Sequence, residues 1–330
     1  MSIYKHVATD HRMQYNDLET IVCSFLKDTY LSQFLIVRYV ANDLDLHSTS
    51  PRILKAIELF HLKCNTECSF HDINKYSTKI KIVETTLFGI RHSANDAPSC
   101  QIVRNSDNLV YEMVWHRLGV YHRDNDKPSI IQDNVAGRYE RWYKHGKLHR
   151  ENDKPAAINH HYFQLWYLNG ELHRDNDQPA FIDLHYMIFK WYKNGMLHRE
   201  NDLPAFISPG LYRWYLHNEP HRDGDRPAII KYIENNGVFL EWMWNGYSHR
   251  FGDRPAMVTL SNNIPIEQKW YKFGKLHRDY DLPAIIDETK MAWYRDNVMY
   301  RDNNLPSLIE NGIYHWYYNG YLLRKTFVLN

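Results

Sequence analysis

Residues 166–183 read Trp166-Tyr167-Leu168-Asn169-Gly170-Glu171-Leu172-His173-Arg174-Asp175-Asn176-Asp177-Gln178-Pro179-Ala180-Phe181-Ile182-Asp183. Asn-Gly between β-favouring residues is the strongest short hairpin signal, because a type I′ turn needs positive φ at both central positions. A two-residue turn at Asn169-Gly170 sets Tyr167 opposite Leu172 and Trp166 opposite His173. Successive side chains then alternate between a Trp–His face and a Tyr–Leu face. The following Arg-Asp-Asn-Asp is turn chemistry, and Pro179 opens a further strand where a missing N–H does least harm.

The same pattern recurs at Trp115, Trp142, Trp166, Trp191, Trp214, Trp242, Trp270, Trp293 and Trp316. Seven residues after the first seven of these comes a histidine (His122, His149, His173, His198, His221, His249, His277), then Tyr300 and Leu323 in the last two repeats. An arginine follows every time, from Arg123 to Arg324. Three residues past the arginine stands aspartate, from Asp126 to Asp281, with Asn304 in the eighth repeat. Five past it stands proline, from Pro128 to Pro306. The turn glycine is replaced only by Asn218 and Asn297, and asparagine is the residue that best tolerates a glycine-like backbone. A worn copy precedes these, with Gly89, His92, Asp96, Pro98 and Ser99 in register and Thr85 in the tryptophan slot. The proline-to-tryptophan step varies from 10 residues (Pro204 to Trp214) to 15 (Pro227 to Trp242), which reads as a loop, with Ile233–Glu241 and Leu260–Lys269 as the most divergent segments.

This spacing predicts a mainly β chain: an elongated array of nine to ten antiparallel β-hairpin repeats of 23–28 residues, each with two or three short strands. The array would span residues 81–330. Its last repeat would leave an open sheet edge at Leu322–Leu329. Segments such as Trp142-Tyr143-Lys144-His145-Gly146-Lys147-Leu148-His149-Arg150 resemble MORN-type hairpin repeats, closest to the variant in proteins of large DNA viruses and phages. Two departures stand out: MORN repeats have a shorter aromatic-to-glycine step, and they lack the His-Arg-Asp-Asn-Asp-x-Pro block. The resemblance implies a scaffold, weakly a lipid contact, and an intracellular setting such as an infected host cell.

Residues 1–80 have a different rhythm. Leu18, Ile21, Val22, Phe25 and Leu26 fall at helical spacing, as do Leu31, Phe34, Leu35, Val37 and Val40. Ser50-Pro51 caps a third helix carrying Ile53, Leu54, Ile57, Leu59 and Phe60. The expectation is a small α-helical domain that caps the first edge of the array. Leu18 through Val37 is similar to the opening of an F-box, without its usual leucine-proline start. That resemblance implies docking onto a ubiquitin-ligase adaptor through residues 17–42.

Composition bounds the chemistry. The 330 residues are 44% hydrophobic and 24% charged, with 40 basic against 39 acidic side chains and a formal net charge of +1. No bulk charge draws the chain to nucleic acid or an anionic membrane. Aromatic content is high at 15%. Four cysteines, Cys23, Cys64, Cys68 and Cys100, are too few and too uneven for a disulfide framework, which reads as cytoplasmic. No apolar stretch approaches the roughly 20 residues of a membrane span, and the first residues form no secretory signal.

Four potential zinc ligands, His61, Cys64, Cys68 and His71, fall on one helical stripe, where a straight helix cannot wrap them around one ion. The recurrent histidines read as partners of tryptophan. The Asp124-Asn125-Asp126 copies read as ion-pair partners of arginine in preference to calcium loops. No phosphate-cradling loop or nucleophile motif is present, and every reactive residue type recurs in every repeat. The expectation is therefore a chain with no catalytic residues, no metal and no cofactor: a non-enzymatic protein-interaction scaffold. The alternatives are a substrate-recruiting adaptor of a ubiquitin ligase and a carbohydrate-binding surface built from exposed Trp and Tyr rings.

Overall fold

The structure, a computed structural model, describes residues 67–75, 78–87, 90–104, 108–135 and 137–327. These are β-strands and turns throughout, and no helix occurs among the described residues. The expected helices and the adaptor-docking residues 17–42 lie outside them. The stretch expected to close a helical domain near residue 80 is instead strand: Glu67–Lys75 and Thr78–Leu87 pair antiparallel from Glu67↔Thr86 to Lys75↔Thr78. The Cys68/His71 spacing suits a helix, but tertiary pairing overrides local periodicity for alternating segments such as Lys79-Ile80-Lys81-Ile82.

Each complete repeat contains four strands, not two or three. In the repeat of Trp166, Tyr167–Leu168 and Glu171–Leu172 form a short hairpin of their own. Phe181–Asp183 and Ile188–Lys190 form a second hairpin within a large sheet. Tyr167 pairs with Leu172, the expected register. Both turn residues lie in the left-handed region, Asn169 at φ 52° and Gly170 at φ 93°.

The variable proline-to-tryptophan segment is the sheet hairpin, so its length sets strand length and not a loop. The short version, Phe206–Ser208 with Leu211–Arg213, turns at Pro209-Gly210. The long version, Ile229–Ile233 with Gly237–Glu241, turns through Asn235 and Asn236 at φ 58° and 54°. Leu260–Lys269 is likewise mostly strand, in Met257–Ser261 and Ile264–Lys269.

The chain divides into two compact bodies, residues 1–150 and 151–330. In the first, Thr78–Leu87, Cys100–Arg104, Val110–Val114, Ile130–Asn134 and Gly137–Arg141 pair in succession, all antiparallel. In the second, an unbroken antiparallel succession runs from Ala157–Asn159 to Tyr321–Phe327. The short hairpins lay their Tyr–Leu face on the sheet. Tyr143 packs on the buried Cys100, Val114 and Ile130, and Leu276, Tyr294, Met299 and Tyr317 pack on Ile285, Ala292 and Leu308.

Consecutive short hairpins are linked through their turns. Gly195 N–H donates to Leu172 C=O at 2.9 Å, and Asn218 N–H to Leu197 C=O at 3.0 Å. Where asparagine replaces glycine, its Oδ1 also accepts the preceding repeat's amide: Leu197 N–H at 2.6 Å for Asn218 and Leu276 N–H at 2.7 Å for Asn297. A Cβ at Gly195 would meet only the Glu171 side chain at ordinary contact distance, with φ +74°. Gly195→Asn is therefore expected to fall within about 0.5 kcal/mol of the parent in urea unfolding. Gly195→Val, branched at a left-handed position, is expected to lose about 1–2 kcal/mol.

Candidate functional site

The invariant tryptophan stands where the chain leaves the sheet for the short hairpin. Its backbone serves both: Trp191 N–H donates to Ala205 C=O at 2.9 Å, and His198 N–H donates to Trp191 C=O at 3.1 Å. The expected Trp–His pairing is thus a backbone closure of the hairpin. In the worn copy, Thr85 makes the same two bonds with Ser99 and His92, so the backbone role survives loss of the indole.

The ring's stacking partner is arginine. In the first eight complete repeats the guanidinium carbon lies 3.6–3.9 Å from its own repeat's tryptophan ring centroid. The eight tryptophans that occupy this slot from Trp115 to Trp293 are 4–9% exposed. A sugar stacking on these rings would find their faces covered.

The same arginine reaches backwards. Its Nε and Nη2 donate to both oxygens of the preceding repeat's aspartate at 2.6–3.2 Å, in Arg123–Asp96, Arg150–Asp126, Arg174–Asp153, Arg199–Asp177, Arg222–Asp202, Arg250–Asp225, Arg278–Asp253 and Arg301–Asp281. Its Nη1 donates to the carbonyl of its own repeat's proline, as Arg222 does to Pro227 at 3.2 Å. The expected ion-pair ladder is present, but it joins consecutive repeats and does not close within one. Bidentate Arg–carboxylate geometry is the strong form of such a bond.

That aspartate also receives the next tryptophan. Indole N–H donates to its backbone carbonyl at 2.9–3.1 Å, as in Trp142–Asp126, Trp166–Asp153, Trp214–Asp202, Trp242–Asp225 and Trp293–Asp281. The left-handed Asn-Asp pair, φ 59° and 52° at Asn176-Asp177, aims the carbonyl forward. Trp270 confirms the dependence: Asp253 is outside the left-handed region, and the Trp270 indole N–H is buried without a partner.

The histidines form a second link between repeats. Backbone N–H groups of the next turn donate to Nδ1: Asn194 to His173 at 3.1 Å, Asn245 to His221 at 3.2 Å and Asp296 to His277 at 3.3 Å. Nδ1 is therefore the bare nitrogen, and Nε2–H donates to the acid two residues on, Asp175, Asp223 or Asp279, at 2.9–3.1 Å. In His173, His221 and His277 both ring nitrogens are thus engaged, one by the next repeat's backbone and one by an acid of the same repeat, whereas His198 Nδ1 and His249 Nε2 are buried without a hydrogen-bond partner.

Of the possible zinc ligands, His61 and Cys64 lie outside the described residues. Cys68 and His71 are on the strand Glu67–Lys75, away from any helical stripe. Among the described residues no group of three or more His, Cys, Asp or Glu side chains is placed to hold a metal, and no helix is long and apolar enough to cross a membrane.

At the opposite ends of the strands the sheet hairpins turn, and there the apolar side chains face outward. Leu184, Tyr186, Met187, Tyr232 and Ile233 are exposed, Tyr186 by 64%. Neighbouring tips touch: Leu184 N–H donates to Tyr162 C=O at 2.7 Å, the Tyr162 and His185 rings meet edge-on at 5.7 Å, and Tyr232 N–H donates to Gly210 C=O at 2.7 Å. Variable length between Pro and Trp was the only sequence signal for this row. No protein-family model matches the chain, and no curated protein matches it.

The ladder has an acid signature. Hydrogen bonds from Arg123, then Lys127, pull Asp96 down to about 2, and arginine hydrogen bonds lower Asp153, Asp177, Asp202, Asp225 and Asp253. Depressed carboxylates stabilise the fold above their unfolded values and lose that contribution as pH falls through the folded ones, so stability is expected to drop between about pH 4 and pH 2. His116 acts higher. It occupies the tyrosine slot, with Nδ1 2.8 Å from the buried Ser99 hydroxyl, and burial pushes it down to about 4. The unfolded chain takes up a proton near pH 6.5 that the folded chain refuses, so stability also falls from about pH 6.5 toward 4. Melting temperature against pH should show both declines, and His116→Tyr should reduce the upper one while sparing the lower.

Proposed function

We propose that the chain is a non-enzymatic scaffold that binds protein partners along the row of sheet-hairpin tips. The observation that carries this reading is the separation of chemistry between the two ends of the strands. At the Trp–Arg–Asp end, most of the reactive side chains are engaged in bonds that recur along the array, the Arg–Asp pair in eight repeats. At the tip end, length and sequence vary, and Tyr186, Met187 and Tyr232 expose apolar surface that nothing within the described residues covers. Exposed apolar groups in contiguous patches mark interaction sites, and tyrosine is favoured there because it offers area and a polar tip at low entropic cost. Recurrence of reactive residues speaks for structure, since a catalytic group is ordinarily unique in its chain.

The test is affinity capture with the full chain and with a Tyr186→Ser, Met187→Ser, Tyr232→Ser variant. The variant should melt at the parental temperature and lose its captured partners by roughly tenfold, equivalent to about 1.4 kcal/mol of binding free energy. Equal recovery of the same partners by both proteins would place binding elsewhere.

A further inference from the structure

The last repeat departs from the others at one charge. Arg324 stacks on Trp316 at 4.0 Å, as every arginine of the row does on its tryptophan. The slot that supplies the carboxylate in the earlier repeats holds Asn304. Its backbone still accepts the Trp316 indole N–H at 2.9 Å, but its side chain is neutral. Among the described residues no carboxylate pairs with Arg324, and its side chain is exposed, whereas its counterparts in the ladder are 13–16% exposed.

The strand that carries it is also unfinished. Tyr321–Phe327 pairs with Ile313–Tyr318 through Ile313↔Phe327, Tyr314↔Thr326 and His315↔Lys325. It thereby fills the place where the next repeat's strand would lie, as Ile229–Lys231 does beside Leu211–Arg213. In that earlier repeat the second edge is taken by Gly237–Glu241. Here no strand among the described residues takes the second edge. All seven residues are exposed, including Tyr321, Leu322, Leu323 and Phe327, and no proline interrupts the edge. Such an edge is a template for strand addition.

We propose that this edge docks an extended peptide segment that bears a carboxylate opposite Arg324 between apolar side chains. The partner thus restores the missing half of the ion pair while completing the sheet. This inference stands independently of the hairpin tips. Charge selects the occupant. A second copy pairing antiparallel with the same strand sets Arg324 against Arg324 in the centred register, and Arg324 against Lys325 when shifted by one residue. Like charges directly opposite one another on paired strands are destabilising, whereas opposite charges stabilise.

The experiment titrates full-length chain with a fluorescent seven-residue peptide of alternating valine and threonine around a central aspartate, and with its asparagine analogue. The aspartate peptide should bind roughly tenfold tighter, with the difference shrinking at high salt. It should protect backbone amides of residues 321–327 from hydrogen exchange. Arg324→Gln, with unchanged melting temperature, should equalise the two peptides. Equal affinity on the parent chain, or binding without amide protection, overturns the proposal. Protection of the same strand in the peptide-free chain also overturns it, by assigning the edge to a second copy where protection grows with protein concentration, or to another part of the same chain where it does not.

Discussion

In eight repeats one arginine is held between its own tryptophan and the preceding aspartate, and this is the interaction on which the rest depends. A hairpin of two-residue strands cannot bury enough surface to stand alone. The arginine gives it a lid over the indole ring and an anchor in the repeat before. Because the anchoring aspartate also accepts the indole N–H through its backbone, ring and guanidinium are placed by one residue. This accounts for the invariant step between tryptophan and arginine. It also explains the paired left-handed residues, since a right-handed aspartate would turn its carbonyl away. Asp253 and Trp270 display that failure within the molecule.

Freedom lies at the other end. Strands beyond the tryptophan pair through backbone bonds that accept nearly any side chain, so they lengthen from three residues to five or six without disturbing the ladder. The geometry therefore separates a constrained edge from a permissive one, and the permissive edge carries the exposed Tyr186 and Tyr232. Substitutions in the constrained edge are compensated locally. Asn218 and Asn297 replace glycine at the same backbone shape and add a bond to the preceding repeat. Glu241, buried where other repeats hold a basic or apolar residue, accepts the Ser248 hydroxyl at 2.6 Å.

Much of this was legible in the sequence. The hairpin turn, the Tyr167–Leu172 register, the period and the worn copy at Thr85 follow from local rules about φ and alternation, and the structure bears them out. The arginine's true partner was not legible. Asp202 lies 20 residues before Arg222 in the chain, whereas Asp223 is adjacent, and only the sheet pairing shows that the distant one is nearer in space. Strand formation over Glu67–Lys75 was hidden by cysteine and histidine spacing that fits a helix equally well. The exposed tips were visible only as irregular length, because burial depends on which hairpins neighbour one another.

A double-mutant cycle on Arg199→Met and Asp177→Asn in urea unfolding measures this coupling between consecutive repeats. Among the described residues Asp177 has Arg199 as its one ladder partner, and Asn keeps the carbonyl that holds Trp191. If the arginine couples consecutive repeats as described, the two substitutions interact by about 1 kcal/mol or more. Additive effects, with a coupling below about 0.3 kcal/mol, would mean that the ladder is a consequence of the stacked repeats and not what joins them.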